Sequence, residues 1–183
     1  EPERLAEIKG ISERKAREIA ATVYEKRDAR EAMSYLQKYG ISNTLAFRIY
    51  ETYGTRLYGI LKENPYQLAE DIQGIGFKIA DEIAARIGIH TDSDYRIRSG
   101  ILYTLMLAGA EGHCFLPKSI LLRKTGELLG LAPGVMEPHL ANLTMDKKLV
   151  MKMPAAGEDE AECKVYASSY YYAELNCARM LHD

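Results

Sequence analysis

The sequence has little of what several common classes of protein require. It contains no tryptophan, three phenylalanines and three cysteines in 183 residues. Cys114, Cys163 and Cys177 form no CxxC pair and leave one thiol unpaired, which argues against a disulfide framework and favours a reducing compartment. His113 stands beside Cys114, but no second pair at ligand spacing accompanies it. We therefore predict no metal site.

Long hydrophobic runs are also lacking. The longest apolar stretches, such as ILYTLMLAGA from Ile101, are too short to span a bilayer, and the N-terminus shows no signal-peptide pattern. These absences predict a cytoplasmic protein without a membrane partner. The formal net charge is −2, so nucleic acid would not be attracted by the overall field. Any such partner would have to be held by local basic patches.

Motifs of catalysis are missing as well. The four histidines are scattered singly, and neighbouring carboxylates such as Glu70 and Asp71 read most simply as solvated helix positions. The string GIGFKI has no strand pattern before it and no third glycine, and neither GKT nor GKS occurs in the chain. A dinucleotide fingerprint and a P-loop are therefore both excluded. We predict no catalytic residue and no bound cofactor in this chain.

The first half does contain a threefold repeat. Aligning Gly10, Gly40 and Gly74 gives GISERKAREI, GISNTLAFRI and GIGFKIADEI. The copies share Gly, Ile, Ser or Gly, three variable residues, Ala, two variable residues and Ile. A shorter helical pattern precedes each glycine, so each copy is predicted to be helix, tight turn, helix. The second helix of each copy continues on the same apolar face as far as Val23, Tyr53 and Ile87.

Two interpretations of the turn remain open. Small residues at the first and third positions would let the backbone bend sharply, while the isoleucine between them plugs the crease and the later alanine and isoleucine pack in the core. Helix packing alone would account for this pattern. A turn of this shape before a helix start also aims unpaired N–H groups in one direction, where the helix dipole adds positive charge. The second interpretation is therefore a cradle for an anion such as nucleic-acid phosphate.

The third copy resembles the helix-hairpin-helix family, whose usual form is a hydrophobic residue, Gly, hydrophobic, Gly, variable, Lys, variable, Ala. The string IQGIGFKIAD matches this form at Gly74, Ile75, Gly76, Lys78 and Ala80. Hairpins of that family bind the DNA backbone without reading its sequence, and the lysine adds a phosphate contact. The resemblance implies DNA contacts at Gly74, Ile75, Gly76 and Lys78.

The first two copies depart from the usual form. The first copy has Ser12 for the second glycine and Arg14 for the lysine. Serine is small and can donate a hydrogen bond, so the resemblance implies further DNA contacts at Gly10, Ser12, Arg14 and Lys15. The second copy has Thr44 where the cation would be. We interpret the second copy as mainly structural.

The sequence of the second half predicts three helices, a β-hairpin and a final helix. LVMKM and CKVYA read as short strands around an acidic loop, and SSYYYAELNCARML reads as the last helix. This order is that of a winged helix, a variant of the helix-turn-helix. The apolar positions of the three helices are Ile97, Ile101, Leu105 and Ala108, then Ile120, Leu121, Leu128 and Leu129, then Val135, Leu140 and Leu143.

An ordinary DNA-binding role of this half is disfavoured. The acidic residues at the wing tip would repel phosphates; they are Glu158, Asp159, Glu160 and Glu162. Lys147 and Lys148 stand only at the end of the third helix. A packing or protein-contact role is favoured. The cations that could contact DNA if they shared a face with the hairpins are Arg96, Arg98, Lys118, Arg123 and Lys124.

The two halves together resemble the N-terminal region of RecD-like ATP-dependent DNA helicases. The resemblance lies in NPYQLAEDIQGIGFKIADEIAARIGI, DSDYRIRSGILYTL and GHCFLPKSILL. It implies that the chain is a piece of a superfamily 1 helicase moving 5′ to 3′, whose ATP- and Mg²⁺-binding motor lies downstream of Asp183. The start at Glu1, without methionine, favours the same expectation. The enzymatic activity would belong to the longer protein.

The predicted fold is mainly α, with tandem helix-hairpin-helix repeats in residues 1–90 and a winged-helix-like α+β domain with a small β-hairpin in residues 91–183. Two functions remain open. One is a DNA-binding accessory region that holds single-stranded, duplex or junction backbone without sequence preference. The other is an interaction module that positions downstream helicase domains of the same chain, which the acidic loop favours. A sequence-specific transcription factor would need a basic recognition helix, and the sequence has none.

Overall fold

The computed structural model describes residues 12–154 and 163–182. Most of these residues are helical, and three short strands form one antiparallel sheet. The predicted mainly α class with a small β part is therefore confirmed. The chain divides into two compact units, Glu1–Gly88 and Ile89–Asp183. They are called the N-terminal unit and the C-terminal unit below.

The N-terminal unit is built from helices joined by short bends. They are α1 (Glu13–Lys38), α2 (Asn43–Tyr53), a 3₁₀ turn (Gly54–Arg56), α3 (Leu57–Glu63), α4 (Gln67–Asp71) and α5 (Phe77–Ile87). The second repeat forms the bend between α1 and α2, and the third forms the bend between α4 and α5. The side chains that are fully buried in this unit include Leu36, Ile49, Leu57, Leu61 and Leu68.

Helix α1 differs from the prediction in two ways. The last helix of the first copy and the first helix of the second are one continuous helix of 26 residues, because no glycine or proline interrupts residues 13–38. Ile19 and Val23 were expected on a buried face, but they are 37% and 59% exposed. Within the described residues α1 contacts α2 and the 3₁₀ turn, and the buried Ala32 and Leu36 lie in its C-terminal part.

The C-terminal unit mixes helices with a small sheet. Its elements are α6 (Asp94–Ala110), β1 (Phe115–Pro117), α7 (Lys118–Leu129), α8 (Pro133–Met145), β2 (Leu149–Lys152), β3 (Lys164–Ala167) and α9 (Ser168–His182). The strands are ordered β1-β3-β2, and both pairings are antiparallel. In this register Val165 of β3 stands opposite Leu116 of β1 and Met151 of β2.

Strand β1 is an element that the sequence analysis missed. Three residues are too short to display a strand period, and Pro117 reads as a helix start. Pro117 does precede α7 directly, as its N-cap residue. The acidic residues predicted at the wing tip lie outside the described residues. The assignment of a winged helix therefore stays a prediction, based on the element order.

The buried face of α8 differs from the predicted one at a single position. Val135 was expected to face inward, but it is 48% exposed, whereas Met136 is buried. Met136, Leu140 and Leu143 follow the i, i+4, i+7 spacing of one helical face, and all three are buried. Val135 lies beside that face, so its inward assignment was wrong.

Replacing Gly126 with alanine is expected to lower the free energy of unfolding by about 1–3 kcal/mol, the usual cost of overpacking. A Cβ atom at Gly126 would lie 2.7 Å from the backbone oxygen of Leu131 and 3.3 Å from Cε of Met136. Gly134 is the matched control, since nothing lies within 4 Å of its Cβ position. Alanine there should leave stability equal or raise it. Urea denaturation followed by circular dichroism measures both, and equal midpoints would contradict the prediction.

Candidate nucleic-acid interface

The bends of the second and third repeats each depend on one glycine. Gly40 has φ +68° and Gly74 has φ +92°, a region that residues with a Cβ atom rarely adopt. The residues two positions later, Ser42 and Gly76, have φ −63° and −92°, which any residue can adopt. The first small residue is therefore required by the backbone, whereas the prediction that the third position must also be small for the bend is wrong. Gly10 lies outside the described residues.

The isoleucines at the centre of these bends are buried as predicted. Ile41 is 4% exposed and Ile75 is 3% exposed, so each fills the crease between its two helices. The N–H of Ile75 donates to the oxygen of Ile72 at 3.1 Å. Of the backbone donors that the family resemblance implies for the third hairpin, the one at Ile75 is thus already occupied.

The start of α5 differs from the starts of α1 and α2 in having no side-chain cap. Ser12 and Ser42 accept hydrogen bonds from the N–H groups of Lys15 and Leu45, at 3.3 and 3.4 Å. Gly76 holds the corresponding place before α5 and has no side chain to do so. Nothing lies within 4 Å of its Cβ position. The first turn of α5 therefore offers backbone donors without an intrahelical acceptor, at the positive end of the helix dipole, beside open space.

The predicted cations of the first and third hairpins differ in their partners. Lys78, the second residue of α5, is exposed and has no ion-pair partner among the residues that the structure describes. Arg14 contacts Glu18, with 3.2 Å between Nε and Oε1, and both side chains are largely exposed. Lys15 is exposed beside them. An exposed pair contributes little stability, but the carboxylate of Glu18 reduces the positive charge that the first hairpin presents.

Two arginines that the motif does not contain also reach the bends. Arg48 of α2 lies at the third hairpin: its Nη1 donates to the oxygen of Gln73 at 3.4 Å and lies 3.2 Å from the Cβ position of Gly74. Arg86 of α5 lies at the second hairpin, where its Nη1 donates to the oxygens of Tyr39 and Gly40 at 3.1 and 3.0 Å. No local sequence signal marks these arginines, because each is far along the chain from the bend it contacts.

Two tyrosine hydroxyls hold the helices on either side of the third bend. Tyr53, at the end of α2, donates to Asp71 at the end of α4 over 2.8 Å. Tyr66, before α4, donates to Asp81 of α5 over 2.7 Å. Burial and then the hydrogen bond to Asp71 raise the pKa of Tyr53 above its ordinary value. The hydroxyl therefore stays protonated at neutral pH and keeps donating to the carboxylate.

The candidate cations of the C-terminal unit are occupied within that unit. Arg96 donates to the oxygens of Thr91 and Leu129 at 2.8 and 3.0 Å, which is a structural role. The remaining four contact carboxylates, in the pairs Arg98 with Asp146, Lys118 with Glu137, Arg123 with Glu127, and Lys124 with Glu111. Binding a phosphate at these four positions would require competition with an acidic neighbour.

Neither a cluster of metal-ligating residues nor a membrane-spanning helix occurs in residues 12–154 and 163–182. Within those ranges the structure contains no group of three or more His, Cys, Asp or Glu residues placed to hold a metal ion. None of the helices described there combines the length and the apolar character that crossing a membrane requires.

The chain is similar to a known protein family and to a curated protein. Residues 25–115 match the family described as the ATP-dependent RecD2 DNA helicase HHH domain. The chain is also 24% identical over 188 residues to the ATP-dependent RecD2 DNA helicase of Deinococcus radiodurans, an alignment that covers 99% of this chain and 26% of that protein. The chain thus spans about a quarter of the length of this curated relative. The family match includes the second and third hairpins and begins beyond Arg14 and Lys15 of the first.

Proposed function

Because residues 25–115 match the family of helix-hairpin-helix domains of ATP-dependent RecD2 DNA helicases, we propose that the chain is an accessory region that binds the DNA backbone without sequence preference. It would serve a longer enzyme that unwinds DNA 5′ to 3′ in repair or recombination. ATP and Mg²⁺ would be bound by the motor domains of that enzyme. The partners of the chain are then DNA and those domains.

The observation that carries the proposal is the uncapped start of α5. No side chain caps the start of α5, nothing lies within 4 Å of the Cβ position of Gly76, and the exposed Lys78 stands in the same turn. A phosphate oxygen placed there would accept from backbone donors and interact with an ammonium group, without contact to a base. Binding of this kind holds the backbone and does not distinguish sequences.

The three hairpins do not support the proposal equally. At α1 and α2 a serine hydroxyl already accepts from one N–H of the first turn, and a phosphate would have to replace that hydrogen bond. Arg14 in addition forms an ion pair with Glu18. We therefore assign the main contact to Gly74, Gly76 and Lys78, and an auxiliary contact to the first hairpin.

The second candidate function is an interaction module that positions the motor domains without binding DNA. The pairing of cations with carboxylates in the C-terminal unit favours this role for that unit. We propose that the C-terminal unit makes protein contacts while the N-terminal unit holds DNA.

A titration of the chain with single-stranded, duplex and forked DNA at several salt concentrations separates the two functions. If the hairpins bind phosphates, the affinity for duplex should fall with salt with a logarithmic slope of about 0.9 per neutralised phosphate. Duplexes of different sequence should bind equally well. Absence of binding to all three DNAs at low salt, with tight association of the separated motor domains, would instead select the interaction module.

A further inference from the structure

We propose that Arg48 is, beside Lys78, a second cationic side chain that binds phosphate at the third hairpin. The helix that follows the second bend supplies it. This inference rests on the proposed function. Arg48 is exposed, its Nη1 is 3.2 Å from the Cβ position of Gly74, and α2 carries it to a bend that is formed 25 residues later in the chain. The site would therefore combine side chains from two hairpins.

Arg48 lacks a carboxylate partner among the described residues. Among the described residues, ion pairs with acidic side chains are formed by other arginines, namely Arg14, Arg17, Arg27, Arg98 and Arg123. For Arg48, as for Lys78, the described part of the chain provides no such partner. The bend with the uncapped helix start thus also has two cations that form no ion pair within the described part of the chain.

The guanidinium group of Arg48 uses few of its hydrogen-bond donors within the protein. Arg48 makes one long hydrogen bond, 3.4 Å from Nη1 to the oxygen of Gln73. A guanidinium group has five N–H donors in a planar fork that suits two oxygens of one phosphate. Its contact with Gln73 leaves most of these donors for a ligand and keeps the group beside the bend.

Arg86 provides the comparison within the same unit. It is also exposed and also reaches a bend, but its Nη1 bridges the oxygens of Tyr39 and Gly40 at 3.1 and 3.0 Å. These shorter contacts join α5 to the second bend, which lacks a cation of its own at Thr44. We assign Arg86 a positioning role and Arg48 a direct phosphate contact.

The experiment compares the variants Arg48→Gln, Arg86→Gln and Lys78→Gln, using fluorescence anisotropy with a short duplex of mixed sequence at several salt concentrations. Glutamine keeps a polar side chain with N–H donors and removes the positive charge, so the slope reports the loss of the cation. Arg48→Gln and Lys78→Gln should each reduce the salt slope by about 0.9. Arg86→Gln should leave the slope unchanged, whatever its effect on the melting temperature.

An unchanged slope for Arg48→Gln would overturn the inference if Lys78→Gln lowers the slope, and the proposed function would survive. Unchanged slopes for both variants would reject the third hairpin as the DNA site.

A measurement on the unmodified chain covers the case in which Arg48→Gln does not fold. Duplex DNA should slow the modification of Arg48 by phenylglyoxal, located by peptide mass mapping, and should not slow that of Arg86. Equal modification of Arg48 with and without DNA would also overturn the inference.

Discussion

The double variant Lys78→Glu with Gly76→Asp is expected to bind duplex DNA about 100-fold more weakly than the unchanged chain at low salt, since hydrogen bonds to charged groups contribute about 1.5–3 kcal/mol each. The glutamate replaces an exposed ammonium group by a carboxylate. The aspartate places a second negative charge in the space that Gly76 leaves open. Fluorescence anisotropy or a gel-shift assay measures the loss.

The fold should tolerate this pair of changes. Gly76 has φ −92° and ψ 175°, a conformation that aspartate adopts without strain, and aspartate is a favoured N-cap residue. The side chain would cap α5 in the way that Ser42 caps α2. A preserved melting temperature would therefore show that the lost affinity reflects the site and not the stability of the chain.

The second hairpin offers a control in which the same two acidic side chains are introduced at the corresponding positions. Ser42→Asp with Thr44→Glu introduces carboxylates at the places that match Gly76 and Lys78, but it removes no cation. Its effect on affinity should be clearly smaller, because Ser42 already occupies a donor of α2. Equal losses in both double variants would indicate general repulsion of DNA by added negative charge, and full affinity of the Lys78 variant would reject the hairpin as the site.

The features that could be predicted from sequence are those with a local physical cause. A positive φ, as at Gly40 and Gly74, is strained for every residue except glycine. The bends could therefore be predicted from a glycine that is followed by apolar residues at helical spacing. The buried Ile41 and Ile75 follow from that period. The third hairpin was also distinct in the sequence, because Gly76 and Lys78 match the usual form of the family, whereas Ser12 and Thr44 depart from it.

The features that could not be predicted from the sequence depend on contacts between residues that are far apart in the chain. Arg48 belongs to the second copy by sequence and to the third hairpin by contact, and no spacing rule connects it with Gly74. The pair Arg123 and Glu127 has the i, i+4 spacing that a helix brings together. The pair Lys118 and Glu137 does not. Five cations of the second half were therefore possible DNA contacts by sequence, although the fold gives each of them another partner.

Some errors in assigning buried faces concern single positions. On α8 the helical spacing of the buried Leu140 and Leu143 leads back to Met136 and not to Val135. Ile19 was assigned to the core by analogy with Ile49, which is buried. The analogy between copies holds for the bends and not for every helix, because burial depends on the neighbours of a helix as well as on its own period.

Replacing Gly74 with valine is expected to lower the free energy of unfolding by about 1–3 kcal/mol, the usual cost of holding a residue in a sparsely populated backbone region. The reason is the φ of +92° at this position, which is especially unfavourable for a β-branched side chain. The new side chain would also have to displace Arg48, whose Nη1 is 3.2 Å from the Cβ position. Thermal or urea denaturation of the chain measures the change.

Gly76→Ala separates the two roles that the glycines of the third hairpin have. Its backbone conformation and the open space at its Cβ position predict nearly unchanged stability, whereas the added methyl group would stand where a phosphate approaches the first turn of α5. Gly74→Val should thus reduce stability, and Gly76→Ala should reduce DNA affinity by about tenfold, equivalent to roughly one charge-assisted hydrogen bond. If Gly76→Ala instead unfolded the chain and kept its affinity per folded molecule, the second glycine would serve the bend rather than the ligand. The anion site would then lose the feature that distinguishes the third hairpin from the first two.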